Sequence, residues 1–158
     1  MPTTILVPID VTTDRDLDQA LTQACKIVQP DLPNLCLLYV VPDVPEGYVA
    51  PDIRSSAFER IRYEAFERLT AIAAIEAEGR SCEIIVREGS PANTILRVAE
   101  EIDADLIVMA SHNPTYIDYI MGSVAGKVIR FAQCSVLVVR SKQFRATGSA
   151  QAPTSFSA

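Results

Sequence analysis

The chain begins with a short apolar run, Ile5-Leu6-Val7-Pro8-Ile9, in which apolar and polar positions do not alternate. A strand with one wet face alternates with a period of two, whereas a strand covered on both faces can be apolar throughout. The run is therefore expected to be a strand buried on both sides. Pro8 has no N–H to give to a ladder and belongs at its exit. Asp10 to Asp16 carries turn chemistry, and Thr13 with Asp16 three residues later resembles a capping box. The following stripe, Leu17, Leu21, Ala24 and Val28, has helical spacing and ends before Pro30.

The same alternation repeats along the chain. Leu35 to Val41 reads as a second buried strand. A loop over residues 42–53 with Pro42, Pro45, Gly47 and Pro51 is longer than the usual strand-to-helix connection, so it is a candidate rim or lid, or else a passive surface loop. Phe58, Ile61, Ala65, Leu69 and Ile72 mark one stripe of a long helix that Gly79 should close. Cys82 to Val86 is the third strand. Gly89-Ser90-Pro91 then opens a helix with a capping serine and proline in the first turn, and Ile95, Val98, Ala99 and Ile102 form its buried stripe. Leu106 to Ala110 is the fourth strand. A polar loop from Ser111 to Asp118 leads to Gly122-Ser123, and Val124, Val128 and Phe131 mark a last helix before a fifth strand, Val136 to Val139. Strands alternating with helices, each strand nearly continuous in apolar residues, imply a single-domain α/β fold: an open parallel five-stranded sheet with helices on both faces.

Composition changes little in this picture but narrows the function. At 158 residues, 49% hydrophobic and 22% charged, the chain is an ordinary globular domain. No apolar run approaches the ~18 residues of a spanning helix, and the N-terminus does not read as a secretion signal, so a cytoplasmic protein without a membrane partner is expected. The net charge is −6. Residues 141–158, small and polar, are expected to form a disordered tail, and without Lys142 and Arg145 the remainder carries −8. No clustered basic face is visible, so no nucleic-acid partner is expected. Cys25, Cys36, Cys82 and Cys134 form no C-x-x-C pair and sit among apolar neighbours, as reduced core thiols do.

Open parallel sheets take ligands beyond the carboxyl ends of their strands, where the crossover direction reverses. Three segments leave such ends here: Pro8-Ile9-Asp10, Val40-Val41, and Met109-Ala110-Ser111-His112-Asn113. A fourth, Gly122-Ser123-Val124, opens a helix, where unpaired amides and the macrodipole favour an anion. A plain N-cap would look the same.

The opening ILVPID, the strand LIVMASH and the closing GSVAGKVIRFAQCSVLVVR resemble the universal stress protein family over about residues 3 to 140. The resemblance implies a Rossmann-like, adenine nucleotide α-hydrolase-like sheet of order 3-2-1-4-5 and a domain over residues 1–140. It also implies an adenine nucleotide as ligand (ATP, ADP or AMP), with Mg²⁺ held by the phosphates. By resemblance, Asp10 and Val40 hold the adenine, with Pro8 and Ile9 as the wall beside the base. Ala110 and Asn113 line ribose and the first phosphates, with Met109 and His112 beside them. Gly122, Ser123 and Val124 cradle the phosphate chain. The chain departs from the nucleotide-binding spelling G-x-x-G, nine residues, G-[ST]. Ala110 and Asn113 stand in place of the glycines, and eight residues separate Asn113 from Gly122. The A-S-H-x-P spelling of Ala110 to Pro114 is similar to the F-type subgroup, which is associated with adenine-nucleotide binding.

Gly122-x-x-x-Gly126-Lys127-Val128 is one residue short of a P-loop and lacks the Ser/Thr after lysine. An enzyme of the α-hydrolase or nucleotidylyl-transfer kind would need S-G-G-x-D-S or H-x-G-H, and neither occurs. His112, the single histidine, contacts ligand or serves structure; Ser111 beside it in an extended segment points to the other side, a poor nucleophile–base pair. The expectation is a non-enzymatic nucleotide-binding protein, with a nucleotide-free interaction module as the alternative. The apolar edge strand at 135–140 is expected to pair with a second copy as a homodimer.

Overall fold

The computed structural model describes residues 4–12, 17–27, 34–43, 51–77, 80–110 and 122–140. Five parallel strands form one sheet of order β3-β2-β1-β4-β5. They are β1 (Thr4–Pro8), β2 (Asn34–Val41), β3 (Cys82–Glu88), β4 (Leu106–Ala110) and β5 (Ser135–Val139). The helices are α1 (Leu17–Ile27), α2 (Pro51–Glu76), α3 (Pro91–Glu101) and α4 (Ser123–Phe131). None of the described helices is long and apolar enough to cross a membrane.

The apolar strands are sorted between two cores by their period of two. Ile5, Val7, Leu35, Leu37, Tyr39 and Val108 pack on one side against Ala20, Leu21 and Ala24 of α1 and Ala65 and Leu69 of α2. Leu6, Cys36, Leu38, Val40, Ile107 and Met109 pack on the other against Ala92, Ile95, Val98 and Ala99 of α3 and Ala125 and Val128 of α4. Both faces are covered, which is why β1, β2 and β4 are nearly continuous apolar runs, while the edge strand β3 exposes Glu83 and Arg87.

Winding reverses beside β1. The chain builds outward through β2 and β3, then returns to set β4 on the other flank of β1. Pairing of β1 with β2 runs through Pro8↔Leu38, and the Ile9 amide donates to the Leu38 carbonyl at 2.8 Å. Pairing with β4 is confined to Ile5↔Leu106 and Leu6↔Ile107. Along a central strand successive residues bond to alternate neighbours. Since Ile9 donates toward β2, the nitrogen of Pro8 falls on the β4 side, where it has no hydrogen to give. The ladder to β4 ends there while β4 continues to Ala110, and the two strand ends part.

The structure corrects four of the sequence expectations. Pro51 opens α2, so residues 51–53 belong to a helix rather than to the long loop; proline suits a first helical turn because its missing N–H has no acceptor there. Ser90 is the N-cap of α3, but its hydroxyl makes no cap bond. Phe131, the last residue of α4, is 53% exposed among the described residues. β3 runs two residues beyond Val86, as far as Glu88, in register with Val40 and Val41 of β2. The expected capping residues Thr13 and Asp16, the helix ends at Val28, Pro30 and Gly79, and the tail over 141–158 lie outside the described residues.

Candidate functional site

Where β1 and β4 separate, a cavity of about 430 Å³ opens at the carboxyl ends of the strands, within the usual 300–1,000 Å³ of small-molecule sites. Pro8, Ile9 and Asp10 from the exit of β1 form one wall, with Val40 from β2. Met109 and Ala110 from the end of β4 form the opposite wall, and Gly122, Ser123 and Val124 close it from the start of α4. These are nine of the eleven residues the sequence singled out. The other two, His112 and Asn113, lie outside the described residues.

The apolar surface comes from residues anchored in the two cores. Ile9, Val40 and Met109 are buried, as are Leu38 and Ile95, two further wall residues that the sequence reading missed. Such a slot suits a flat aromatic ring better than a hydrated ion. Ala110 replaces a glycine of the expected pattern and lines the cavity, which remains open beside it.

Among the described residues, the polar side chains lining the cavity are Asp10, Thr12, Tyr39 and Ser123. At the β1 end, Asp10 is exposed between buried Ile9 and Val11. Its Oδ1 accepts from the Thr12 amide at 2.9 Å and from the Thr12 hydroxyl at 2.6 Å. Tyr39 also lines the cavity; burial pushes its phenol above the ordinary value of 10, and the charge of Asp10 adds to the effect. The phenol is therefore neutral at physiological pH.

At the opposite end, α4 starts at Ser123 with Gly122 as its N-cap and no side chain capping it. The first intrahelical bond is Gly126 N–H to the Gly122 carbonyl at 2.9 Å. The amides of Ser123, Val124 and Ala125 precede it and have no acceptor within the helix. All three residues line the cavity, so the positive end of the helix dipole stands at its rim. The Ser123 side chain is exposed there and can add a hydroxyl donor. Pro91 brings the first turn of α3 to the same cavity, but as a proline it contributes a wall and no donor.

Thr12, Tyr39, Pro91 and Ala125 were not singled out from the sequence. Thr12 alone had a local signal: a hydroxyl residue two positions after an aspartate at a strand exit, the spacing of a side-chain-closed turn. The others meet the site only through the winding of the sheet. The four cysteines are free thiols away from the cavity wall. Burial pushes Cys36 and Cys82 up to about 11 and raises Cys134 as well. Among the described residues, no three His, Cys, Asp or Glu side chains converge as a metal site.

Known proteins match this chain in sequence and in fold. A family model described as the Universal stress protein family matches residues 1–140. Universal stress protein G of Escherichia coli O157:H7 is 35% identical over 141 residues, covering 87% of this chain and 98% of that protein. Among solved structures, universal stress protein UspA from Lactobacillus plantarum superposes with a TM-score of 0.65 at 30% identity, over 87% of this chain and 97% of that one. The universal stress protein from Archaeoglobus fulgidus, solved in complex with dAMP, superposes with a TM-score of 0.53 at 24% identity, over 86% and 96% of the two chains. That last likeness is one of fold.

Proposed function

The chain belongs to the universal stress protein family, and from that premise we propose that it is a stress-response protein that binds an adenine nucleotide in the cavity between β1, β4 and α4. The observation that carries this reading is the convergence of nine residues, drawn from four separate segments, on one cavity of about 430 Å³. In the proposed complex the purine lies between the apolar walls of Ile9, Val40 and Met109. Asp10 accepts from an amino or hydroxyl group of the nucleoside, and the amides at the start of α4 hold phosphate. ATP is the proposed ligand, with Mg²⁺ carried by its own phosphates, and ADP or AMP would use the same purine slot. The reading is one of regulation by binding, in the cytoplasm, without turnover. His112 and Asn113 are proposed to flank the ribose and phosphates.

The test is direct. Protein purified without added nucleotide is denatured and the released small molecules are identified by mass spectrometry, with calorimetric titration of ATP and AMP alongside. Release of an adenine nucleotide, or saturable heat below millimolar ligand, is expected. Neither release nor heat at millimolar ligand would refute the reading and favour the nucleotide-free interaction module.

A homodimer through β5 is part of the same proposal. The two edges of the sheet differ in character. β3 carries Glu83, Arg87 and Glu88, whereas β5 presents Val136, Leu137, Val138 and Val139, all only partly buried. Charged side chains guard an edge against pairing, and an apolar edge invites it. Light scattering at micromolar protein is expected to give twice the chain mass; a monomeric mass refutes this part alone.

A further inference from the structure

We infer that Thr12 is a positioning residue for the ligand: it holds the Asp10 carboxylate in the direction from which it meets the nucleoside. The inference rests on the nucleotide reading above and adds a residue that the family resemblance did not supply.

The geometry begins with the end of β1. The Ile9 amide is tied to the Leu38 carbonyl at 2.8 Å, and the side chains of Ile9 and Val11 are each 6% exposed. The backbone is thus pinned on both sides of Asp10, while Asp10 itself is exposed and lines the cavity. An exposed aspartate has two soft side-chain torsions, so a pinned backbone does not fix its carboxylate. Thr12 does. Its amide and its hydroxyl both donate to the same oxygen, Oδ1, at 2.9 and 2.6 Å, closing a turn in which the side chain imitates a backbone carbonyl. Two donors on one oxygen define the plane as well as the position of the group, and bonds to an ionised acceptor are among the stronger ones. A carboxylate has about four acceptor positions, and the two bonds from Thr12 both fall on Oδ1. Thr12 is itself exposed and lines the cavity. Its hydroxyl is already committed to Asp10.

The physical consequence concerns order before binding. A carboxylate held in one orientation loses little freedom when the nucleoside arrives, whereas one that rotates freely must be immobilised at that moment. Of the two contacts, the amide survives any substitution except proline. The hydroxyl is the part that chemistry at position 12 controls.

The experiment measures AMP binding by calorimetry for the wild type, Thr12→Val, Thr12→Ser, Asp10→Ala and the double variant Asp10→Ala/Thr12→Val. Thr12→Val removes the hydroxyl at constant shape and is expected to weaken AMP by about 5- to 10-fold, the effect of one lost hydrogen bond. Thr12→Ser keeps the hydroxyl and is expected to bind within about 2-fold of wild type. In the Asp10→Ala background, Thr12→Val is expected to change affinity by less than about 2-fold, because its target is gone. Thermal unfolding of the two Thr12 variants should coincide, as position 12 is exposed.

Three results would overturn the inference: wild-type affinity in Thr12→Val, a Thr12→Ser variant as weak as Thr12→Val, or the same loss on the Asp10→Ala background as on wild type. The last would mean that Thr12 meets the ligand directly. Should Asp10→Ala bind too weakly to measure, the valine–serine pair decides. Absence of AMP and ATP binding by the wild type is a different outcome and strikes the nucleotide reading itself.

Discussion

Replacing Gly89 by alanine should destabilise the fold by about 2–4 kcal/mol, and the two sources of that loss can be separated. Gly89 joins β3 to α3 and has φ +147°, a conformation that L-residues rarely adopt; strain of this kind amounts to about 1–3 kcal/mol. A Cβ built there stands 2.6 Å from Thr94 Oγ1. Thr94 is 3% exposed, and its amide is bonded to the Ser90 carbonyl at 2.9 Å, so it cannot simply swing into solvent. Forcing it off its rotamer adds about 0.5–1.5 kcal/mol. Equilibrium unfolding in urea reads the sum. With a slope of about 2 kcal/mol/M, the midpoint should fall by roughly 1–2 M. In Gly89→Ala/Thr94→Ala the steric part disappears and the backbone part remains, so the double variant should show a smaller alanine penalty than the single one, but not zero. A Gly89→Ala midpoint within about 0.2 M of wild type would refute the reasoning about both sources. Complete relief by Thr94→Ala would refute the backbone share. Because Gly89 sets the approach to Pro91, which lines the cavity, weaker AMP binding by Gly89→Ala is expected as well.

Three further outcomes follow from the same structure. Ser123→Ala removes one hydroxyl from the rim of the cavity and should weaken ATP by about ten- to a hundred-fold, with unfolding midpoints unchanged because the side chain is exposed; equal affinities by calorimetry would exclude the serine from the phosphate site. Leu69→Ala empties a fully buried position between α2 and the sheet and should lower stability by about 2–5 kcal/mol in urea, a result that a loss below 1 kcal/mol would contradict. The thiols of Cys36 and Cys82 are pushed from 9.0 to about 11 by burial first, with neighbouring charge adding to it. The folded chain therefore keeps protons that the unfolded chain releases. Their contribution is fully present below pH 9 and is lost as pH rises through 11, with a slope of up to about 1.4 kcal/mol per pH unit for each thiol. Reduced protein unfolded in urea at pH 7.5, 9 and 10.5 should show midpoints falling slightly by pH 9 and mostly at the last step; a level series would contradict buried, neutral thiols.

The sequence carried the architecture because burial on both faces leaves a direct mark. A strand that needs apolar residues on both sides is written as an unbroken apolar run, and β4 is written so plainly that its expected and observed bounds agree at Leu106–Ala110. Some residues at the ends of elements were also legible, since Pro8 and Asp10, and Gly122 and Ser123, are chemically unlike the apolar runs beside them, whereas Met109 and Ala110 were legible only as the end of an apolar run. Other features could not be read in this way. Apolar spacing placed Phe131 on a helix but could not say how far the neighbouring element reached, and it is exposed. Ser90 had the identity of a cap and the position of one, yet its hydroxyl caps nothing, because residue type does not determine which way a side chain turns.

What the sequence by itself determined, then, was the order of elements and the short list of polar and small residues at their ends, both consequences of local pattern. The tertiary structure decided which of those ends meet. Only the reversal of winding beside β1, and the missing donor of Pro8 on the side facing β4, make a crevice there. Tyr39, Pro91, Ile95 and Ala125 become walls of the cavity through contacts between residues tens of positions apart in the chain, and no local pattern encodes that distance.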